Sequence, residues 1–311
     1  MACKLLLTPA VNNNFHRPAR IAAACALLAM TFGWVWAGDD RPTKFTNQGS
    51  IANTRHNMTQ RVPGLNSATM DPARNDYGEV CVYCHTPHGA SSVALPLWNR
   101  TIKSTTYTTY DTINSSTLTQ PVTQPGINSL ACLSCHDGQT AIDSIINMPG
   151  SGRMNPNQAT TQDDNFLNSW PNSLGGHGGL NSGGGGVACL SCHSPGNQPA
   201  ATDFTAFFIG TDLRNDHPVG ITFPGNSGPG TEFNTPGTTA GNLRWFDFNG
   251  NGRADKQEVR LYDTGDGFEV ECGTCHDPHG VPSGGTGSTF IPTFLRVSNT
   301  GSGLCLTCHN K

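Results

Sequence analysis

Charged residues are scarce in this chain of 311 residues, where Asp, Glu, Lys and Arg make up 13% of the total. Typical soluble proteins contain roughly 25%. The formal net charge is −4, so nothing points to nucleic-acid binding, which a basic surface would indicate. Long periodic apolar runs are also few, whereas glycine (37) and proline (21) are abundant. Because such a chain loses much backbone entropy on folding, we expect it to depend on covalent staples.

One long apolar segment, Ile21 to Trp36, lies near the N-terminus and follows a basic, acid-free stretch. Val35-Trp36-Ala37 ends it with small residues at the positions that signal cleavage requires, so residues 1–37 are predicted to be an export signal. An uncleaved anchor is the alternative, because the apolar run is somewhat long. The mature chain, 38–311, is then expected to have no membrane span.

Ten cysteines and five histidines form five copies of C-x-x-C-H, the attachment signature of c-type haem. The two thiols reach both vinyl groups of one haem, and the adjacent His presents its imidazole to the iron. Disulfides or zinc knuckles are the alternatives, but neither explains a His directly after every second Cys. The sequence therefore predicts five haem c groups. Their attachment cysteines are Cys81, Cys84, Cys132, Cys135, Cys189, Cys192, Cys272, Cys275, Cys305 and Cys308. Their proximal ligands are His85, His136, His193, His276 and His309.

The remaining histidines of the mature chain match the number of vacant sixth positions on five irons. The predicted distal ligands are His56, His88, His177, His217 and His279. Methionine ligation at one or two irons is the alternative, and it would raise those potentials. The candidates for it are Met58, Met70, Met148 and Met154.

Spacing restricts which haem some distal ligands can serve. His88 and His279 each lie three residues after a proximal His, so neither can reach the opposite face of its own motif's haem. We expect each of them to ligate a neighbouring haem, which requires closely spaced haems. Asp216 could bond the imidazole of His217 and raise its basicity, although His217 could also be an ordinary loop residue.

The predicted fold is mostly irregular, with short α-helices and minimal β-structure, and the polypeptide is wrapped around a chain of covalently bound haems. A short hairpin is possible within 101–124, where β-branched residues concentrate. We expect 38–311 to form one pentahaem unit. Two His ligands per iron leave no open position for a substrate, so the sequence predicts electron transfer and not catalysis.

A second metal site is predicted in an insertion at 247–258, which matches the twelve-residue EF-hand loop, with Gly252 at its sixth position. The expected role is a structural Ca²⁺ site, and the alternative is an Asn/Gly turn with acidic neighbours. The predicted ligands are Asp247, Asn249, Asn251, Arg253 through its carbonyl, Asp255 and Glu258.

Several segments resemble one family of multihaem cytochromes: residues 79–90, 96–100, 131–138, 215–220 and 295–299. They are similar to the OmcS/OmcE-type extracellular cytochrome nanowires of metal-reducing bacteria, which also carry doubled C-x-x-C-H motifs. The resemblance implies a coil-rich fold around a continuous haem chain, and stacked subunits that conduct along a filament. It also implies that a His of one subunit can ligate a haem of the next. His56 is the candidate for that role, with the haem of Cys305 exposed to a neighbour.

The leading prediction is an extracellular, filament-forming pentahaem conductor. Its partners would be further copies of itself, other multihaem cytochromes and external electron acceptors. A monomeric periplasmic electron shuttle is one alternative, although the low charge content disfavours it. A pentahaem reductase similar to nitrite reductases is the other, although those use a Lys-ligated haem and every motif here ends in His.

Overall fold

The computed structural model describes residues 46–59, 74, 77–93, 95–147, 179–181, 188–198, 201–284 and 287–310. The chain divides into two units, Met1–Asp40 and Arg41–Lys311, and all described residues belong to the second. The predicted export signal and His177 lie outside the described residues, as do Met70, Met148 and Met154.

A five-stranded antiparallel sheet occupies the long interval between the third and fourth C-x-x-C-H motifs, and its spatial order is β1-β5-β4-β3-β2. The strands at 238–240 and 243–245 form a hairpin with a two-residue turn, and the first residue of that turn, Gly241, has the positive φ (+58°) that such a turn requires. The strands are β1 (Ile221–Thr222), β2 (Thr238–Ala240), β3 (Leu243–Trp245), β4 (Arg260–Asp263) and β5 (Phe268–Val270).

The sheet packs one face into the largest apolar cluster among the described residues. Ile221 pairs with Val270 across the β1–β5 ladder, and both are buried together with Val259 and fully buried Leu261. Leu304, from the segment that carries the last motif, packs against the same cluster. The apolar core therefore links the sheet to the C-terminal motif.

Helices are short, and the longer ones coincide with the motifs. The α-helices are α1 (Ile127–His136), α2 (Cys272–Cys275) and α3 (Gly303–Cys308). The 3₁₀ helices are Ile51–Asn53, Tyr110–Ile113, Cys189–Ser191, Pro195–Asn197, Thr205–Phe207, Pro292–Phe294 and Thr300–Ser302. Within the described part of the chain, no helix has both the length and the apolarity to cross a bilayer.

The sheet overturns the predicted fold class of an irregular chain with minimal β-structure wrapped around haems. Each strand is two to four residues long, which is too short to produce a readable alternation of apolar and polar residues. The hairpin expected within 101–124 is also wrong. Thr108 instead bridges Asp212, and Val122 bridges Ile221, so both partners come from about a hundred residues further along the chain.

Candidate functional site

Each C-x-x-C-H motif folds as one helical turn, which puts its two thiols and its imidazole close together. In α1 this turn ends the helix at His136. In the other four, the backbone N–H of the His donates to the carbonyl oxygen of the first Cys. These bonds are His85 to Cys81 (2.8 Å), His193 to Cys189 (2.8 Å), His276 to Cys272 (3.1 Å) and His309 to Cys305 (2.9 Å). All ten motif cysteines are free thiols in the described chain, as thioether formation with haem requires.

Hydrogen bonds fix which ring nitrogen the candidate ligands present. Where Nδ1 donates its proton to a backbone carbonyl, Nε2 keeps its lone pair and can bind a metal. The four motif imidazoles with such a bond use oxygens outside their own motifs. These bonds are His85 to Pro96 (2.8 Å), His136 to Phe207 (2.7 Å), His193 to Thr202 (2.7 Å) and His276 to Thr293 (2.7 Å).

The distal candidate His56 is held in the same manner. Its Nδ1 lies 3.0 Å from the carbonyl oxygen of Pro278, and its ring stacks on Phe294 at 4.6 Å between centres. Burial, reinforced by nearby His136, lowers the pKa of His56 to about 4. At neutral pH the ring is therefore uncharged, which is the form that coordinates iron.

Two pairs of imidazole rings lie at the separation that a shared iron requires. The ring centres of His85 and His279 are 6.1 Å apart, and those of His56 and His136 are 6.2 Å apart. An imidazole nitrogen lies about 2 Å from its metal and the ring centre about 1 Å beyond, so two axial rings have centres about 6 Å apart. The residues therefore fit haem ligation, with each pair joining a motif His to a distal candidate.

The first and fourth motifs make the same two contacts with the segment that follows each of them: a β-bridge and a hydrogen bond from the imidazole. His85 forms an antiparallel bridge with Trp98, and His276 forms one with Leu295. In both cases the carbonyl that accepts the Nδ1 proton lies two residues before the bridge partner. The repeated C-x-x-C-H-x-P-H-G sequences thus fold into equivalent structures, although the connecting loops differ in length.

The first three motifs lie beside one another. Burial raises the pKa of the Cys84 thiol to about 12, and Cys135 of the second motif adds to the shift. Burial likewise raises the pKa of Cys189 to about 11, and Cys135 is again a contributing neighbour. The second motif is therefore adjacent to both the first and the third.

The last two motifs are also close to other motifs. A hydrogen bond between the thiols of Cys132 and Cys272 raises the pKa of Cys132 and lowers that of Cys272. Burial raises the pKa of Cys308 to about 12, with a further contribution from Cys275. The fourth motif therefore touches the second and neighbours the fifth, so all five motifs form one connected group that branches at the second motif.

Other predicted ligands are not brought to an imidazole partner in the described residues. His88 and His217 are exposed, and neither ring contacts another histidine within the described ranges. Met58 packs against the buried cluster around Tyr77 and Ile145, where its thioether has an apolar environment. The arrangement thus gives Met58 a packing role.

A buried carboxylate that the sequence reasoning missed holds one distal candidate. Oδ1 of Asp277 accepts the backbone N–H of His279 at 3.0 Å and its Nδ1–H at 3.1 Å. Burial by itself would raise the pKa of Asp277, but these bonds and Arg296 hold it below the usual value. The sequence did offer one indication of this role, because Asp277 directly follows the motif residue His276.

The bond expected between Asp216 and the ring of His217 is not formed, since His217 Nδ1 lies 3.0 Å from the Pro218 carbonyl oxygen.

The predicted calcium loop connects β3 and β4. Buried Glu258 accepts the backbone N–H groups of Phe248 and Asp255, both at 2.9 Å. Asp247 accepts the N–H of Asn251 at 3.1 Å, and Asp255 accepts side-chain amides. The oxygen donors suit a hard cation. However, no three His, Cys, Asp or Glu side chains of the described chain form a group arranged to hold a metal.

Comparison with protein families gives one match. The family described as "Doubled CXXCH motif" matches residues 267–311, which include β5, the fourth motif and the fifth motif. A search of curated proteins finds no match for the chain. The matched segment covers α2 and α3 with their thiols and proximal imidazoles. The chain therefore has the covalent haem c attachment motifs typical of a multihaem c-type cytochrome.

Proposed function

We propose that the chain carries five haem c groups with two axial histidines each and transfers electrons along them, without catalysing a reaction. The observation that carries the proposal is the pair of imidazole separations, 6.1 and 6.2 Å. Bound haem supplies a one-electron iron couple, and axial ligands set its potential. The connected group of motifs supports electron transfer between neighbouring cofactors.

The protein contributes orientation and exclusion of substrate from the metal. Carbonyl acceptors on four motif imidazoles hold the rings in one tautomer. With haem bound, His279 and His56 would occupy the positions that a substrate would need on the irons of the first and second motifs. We therefore assign His56 to the second motif of the same chain, because its ring faces His136.

We further propose that the chain is exported and polymerises outside the cell as a conducting filament, which passes electrons to other multihaem cytochromes or to external acceptors. The resemblance to cytochrome nanowires and the scarcity of charge support this. The thiol of Cys305 and the side chain of Leu306 are exposed on α3. This exposure supports contact between the last motif and a neighbouring copy.

The test is to purify the secreted protein, count its haems and record its oxidised spectrum before and after dilution to single chains. We expect five haems per chain, all six-coordinate and low-spin, and filaments in electron micrographs of concentrated samples. In single chains the second haem should stay low-spin because His56 is supplied within the chain. A water-bound or five-coordinate iron in the undiluted protein would contradict the electron-transfer proposal. Discrete particles at every concentration would contradict the filament.

We also propose that the loop at 247–258 binds Ca²⁺ as a structural brace between β3 and β4. Gly250 and Gly252 adopt φ values of +69° and +71°, and these turns bring the side chains of the loop toward its backbone N–H groups. Calcium would replace those N–H groups as the partner of the carboxylates. Because the proposed ligands include the first and last residues of the loop, Asp247 and Glu258, the ion would tighten the strand connection.

Calcium is expected to raise the midpoint of thermal unfolding. Binding at a free Ca²⁺ concentration 100-fold above Kd would stabilise the protein by about 2.7 kcal/mol. Calorimetry with Ca²⁺ and with a chelator measures the shift. Asp247→Ala should abolish it, whereas Asp266→Asn, an exposed carboxylate in the turn before β5, should preserve it. An equal shift in both variants would contradict a site in this loop.

A further inference from the structure

One ligand imidazole differs from the others in what accepts its Nδ1 proton. Six described histidines have a backbone carbonyl oxygen at hydrogen-bonding distance from Nδ1. The ring of His279 instead bonds the carboxylate of Asp277 at 3.1 Å. A carboxylate can only accept here, so Nδ1 carries the proton and Nε2 is free for iron.

The carboxylate is fixed in place by the surrounding protein. Asp277 is 6% exposed, and its Oδ2 lies 3.5 Å from Nη1 of Arg296. Arg296 is itself 4% exposed and donates to the carbonyl oxygens of Gly273 and Lys256. Asp277 therefore cannot turn away from the imidazole without breaking a buried ion pair.

The first motif provides an internal comparison, because it has the same sequence pattern without the carboxylate. Thr86 occupies the position equivalent to Asp277, directly after the motif His. Its hydroxyl donates to the carbonyl oxygen of His88 at 2.9 Å and not to the ring. Asn99 replaces Arg296 at the position that bonds back to the second motif cysteine. The buried Asp–Arg pair thus belongs to one repeat only.

We propose that Asp277 is a positioning residue that gives the haem of Cys81 and Cys84 a lower reduction potential than it would otherwise have. The inference rests on the proposed function, in which His279 and His85 share that iron. A carboxylate acceptor makes the imidazole a stronger electron donor, and a stronger donor favours ferric over ferrous iron. The residue that follows the fourth motif's His therefore tunes the first motif's haem.

The test is a spectroelectrochemical titration of the haem-loaded protein and its Asp277→Asn variant. The neutral amide is a weaker acceptor, so we expect one of five midpoint potentials to rise. The expected size is about a tenfold change in the ferric–ferrous equilibrium, which is 59 mV for a one-electron couple. Asp277→Glu retains the carboxylate and should restore most of the original value. If Asp277→Asn does not fold, Asp277→Thr, which copies the first motif, carries the same expectation.

A matched control is Asp137→Asn. Asp137 also follows a motif His directly and is also buried, but it accepts the hydroxyl of Tyr107 at 2.9 Å instead of a ligand ring. We expect a smaller change, confined to the haem that His136 serves, because Asp137 acts on that ligand only through space. A through-space charge effect of Asp277 would also move the haem of adjacent His276, whereas the hydrogen bond affects only the haem that His279 serves.

His279→Ala separates this inference from the function on which it rests. One haem should lose its low-spin signal, and it should be the haem whose potential moves in Asp277→Asn. If all five haems stay low-spin, the ligand assignment fails. If one haem becomes high-spin but Asp277→Asn leaves all five potentials unchanged, or Asp137→Asn shifts them equally, the role of Asp277 alone is overturned.

Discussion

Replacing Glu271 by Gln is expected to stabilise the protein at neutral pH by about 3 kcal/mol and to flatten its pH dependence. Glu271 is 1% exposed and lies at the junction of β5, α2 and the start of α1. Its carboxyl group accepts the hydroxyl of Ser129 and the backbone N–H of Gly126, and it forms a capping box with Thr274. Burial outweighs these bonds and raises the pKa of Glu271 to about 7.

The sign of this stability change follows from whether Glu271 is protonated in the folded and in the unfolded chain at each pH. Below pH 4.5 the group is protonated in both the folded and the unfolded chain, so it has no effect on stability. Between pH 4.5 and about 7 the unfolded chain ionises while the folded chain keeps its proton, so the free energy of unfolding falls. Each unit of pKa difference corresponds to about 1.4 kcal/mol. Gln copies the neutral acid and avoids the loss above pH 7.

Denaturant titrations at pH 4.5, 6 and 8 measure this effect on the haem-loaded protein. Asp266→Asn removes an exposed carboxylate from the turn before β5 and should leave the contribution of Glu271 to the profile in place. Glu269, whose pKa burial also raises, should contribute the residual slope in the Gln variant. A Gln variant that is less stable at pH 8 and keeps the full slope would mean that the bonds from Ser129 and Gly126 hold the carboxylate ionised.

The attachment turns could be predicted from sequence because their chemistry is local. Five residues contain both thiols and the imidazole, and one i to i+4 backbone bond closes the turn. The acceptors of the Nδ1 protons could not be predicted in the same manner. Pro96 lies 11 residues after His85, whereas Phe207 lies 71 residues after His136, and no residue-type preference marks a backbone carbonyl.

The pairing of distal ligands with motif histidines could not be predicted from the sequence either. Spacing argues that His279 cannot ligate the haem of its own motif, but it cannot name the motif that receives it. The partner, His85, is nearly two hundred residues away in sequence. The resemblance to filament-forming cytochromes pointed His56 toward a neighbouring copy, whereas folding brings its ring to His136.

The sheet was missed for a different physical reason. Strands of two to four residues gain little from propensity, and they persist here because Leu261, Val270 and Ile221 are buried in one cluster. Glycine and proline content pointed to loops, and loops do make up most of the described residues between the motifs. Where strands form instead, burial of their apolar side chains in the tertiary structure outweighs local propensity.

Replacing Arg100 by Leu is expected to destabilise the protein by about 3–5 kcal/mol, because several buried acceptors would lose their donors. Arg100 is 1% exposed. Its guanidinium donates to the hydroxyl and the carbonyl of Ser134 and to the carbonyls of Ile142 and Ala141, at 2.8 to 3.1 Å. A planar group with five donors satisfies this set, and Lys, with a single ammonium, satisfies only part of it. Arg100→Lys should therefore fall between Leu and the parent.

Arg100 also joins the first two motifs, since Ser134 lies between Cys132 and Cys135 and Arg100 follows the segment that holds His85. Denaturant unfolding measures the stability loss, and Arg214→Leu is the matched control. Arg214 pairs with Asp212 at the surface, where such ion pairs contribute about 0–1 kcal/mol. Equal losses in the two variants would mean that the buried guanidinium is not what fixes the first motif against the second. A large loss at Arg100 alone would mean that the packing of the first motif against the second depends on backbone carbonyls gathered around one buried cation.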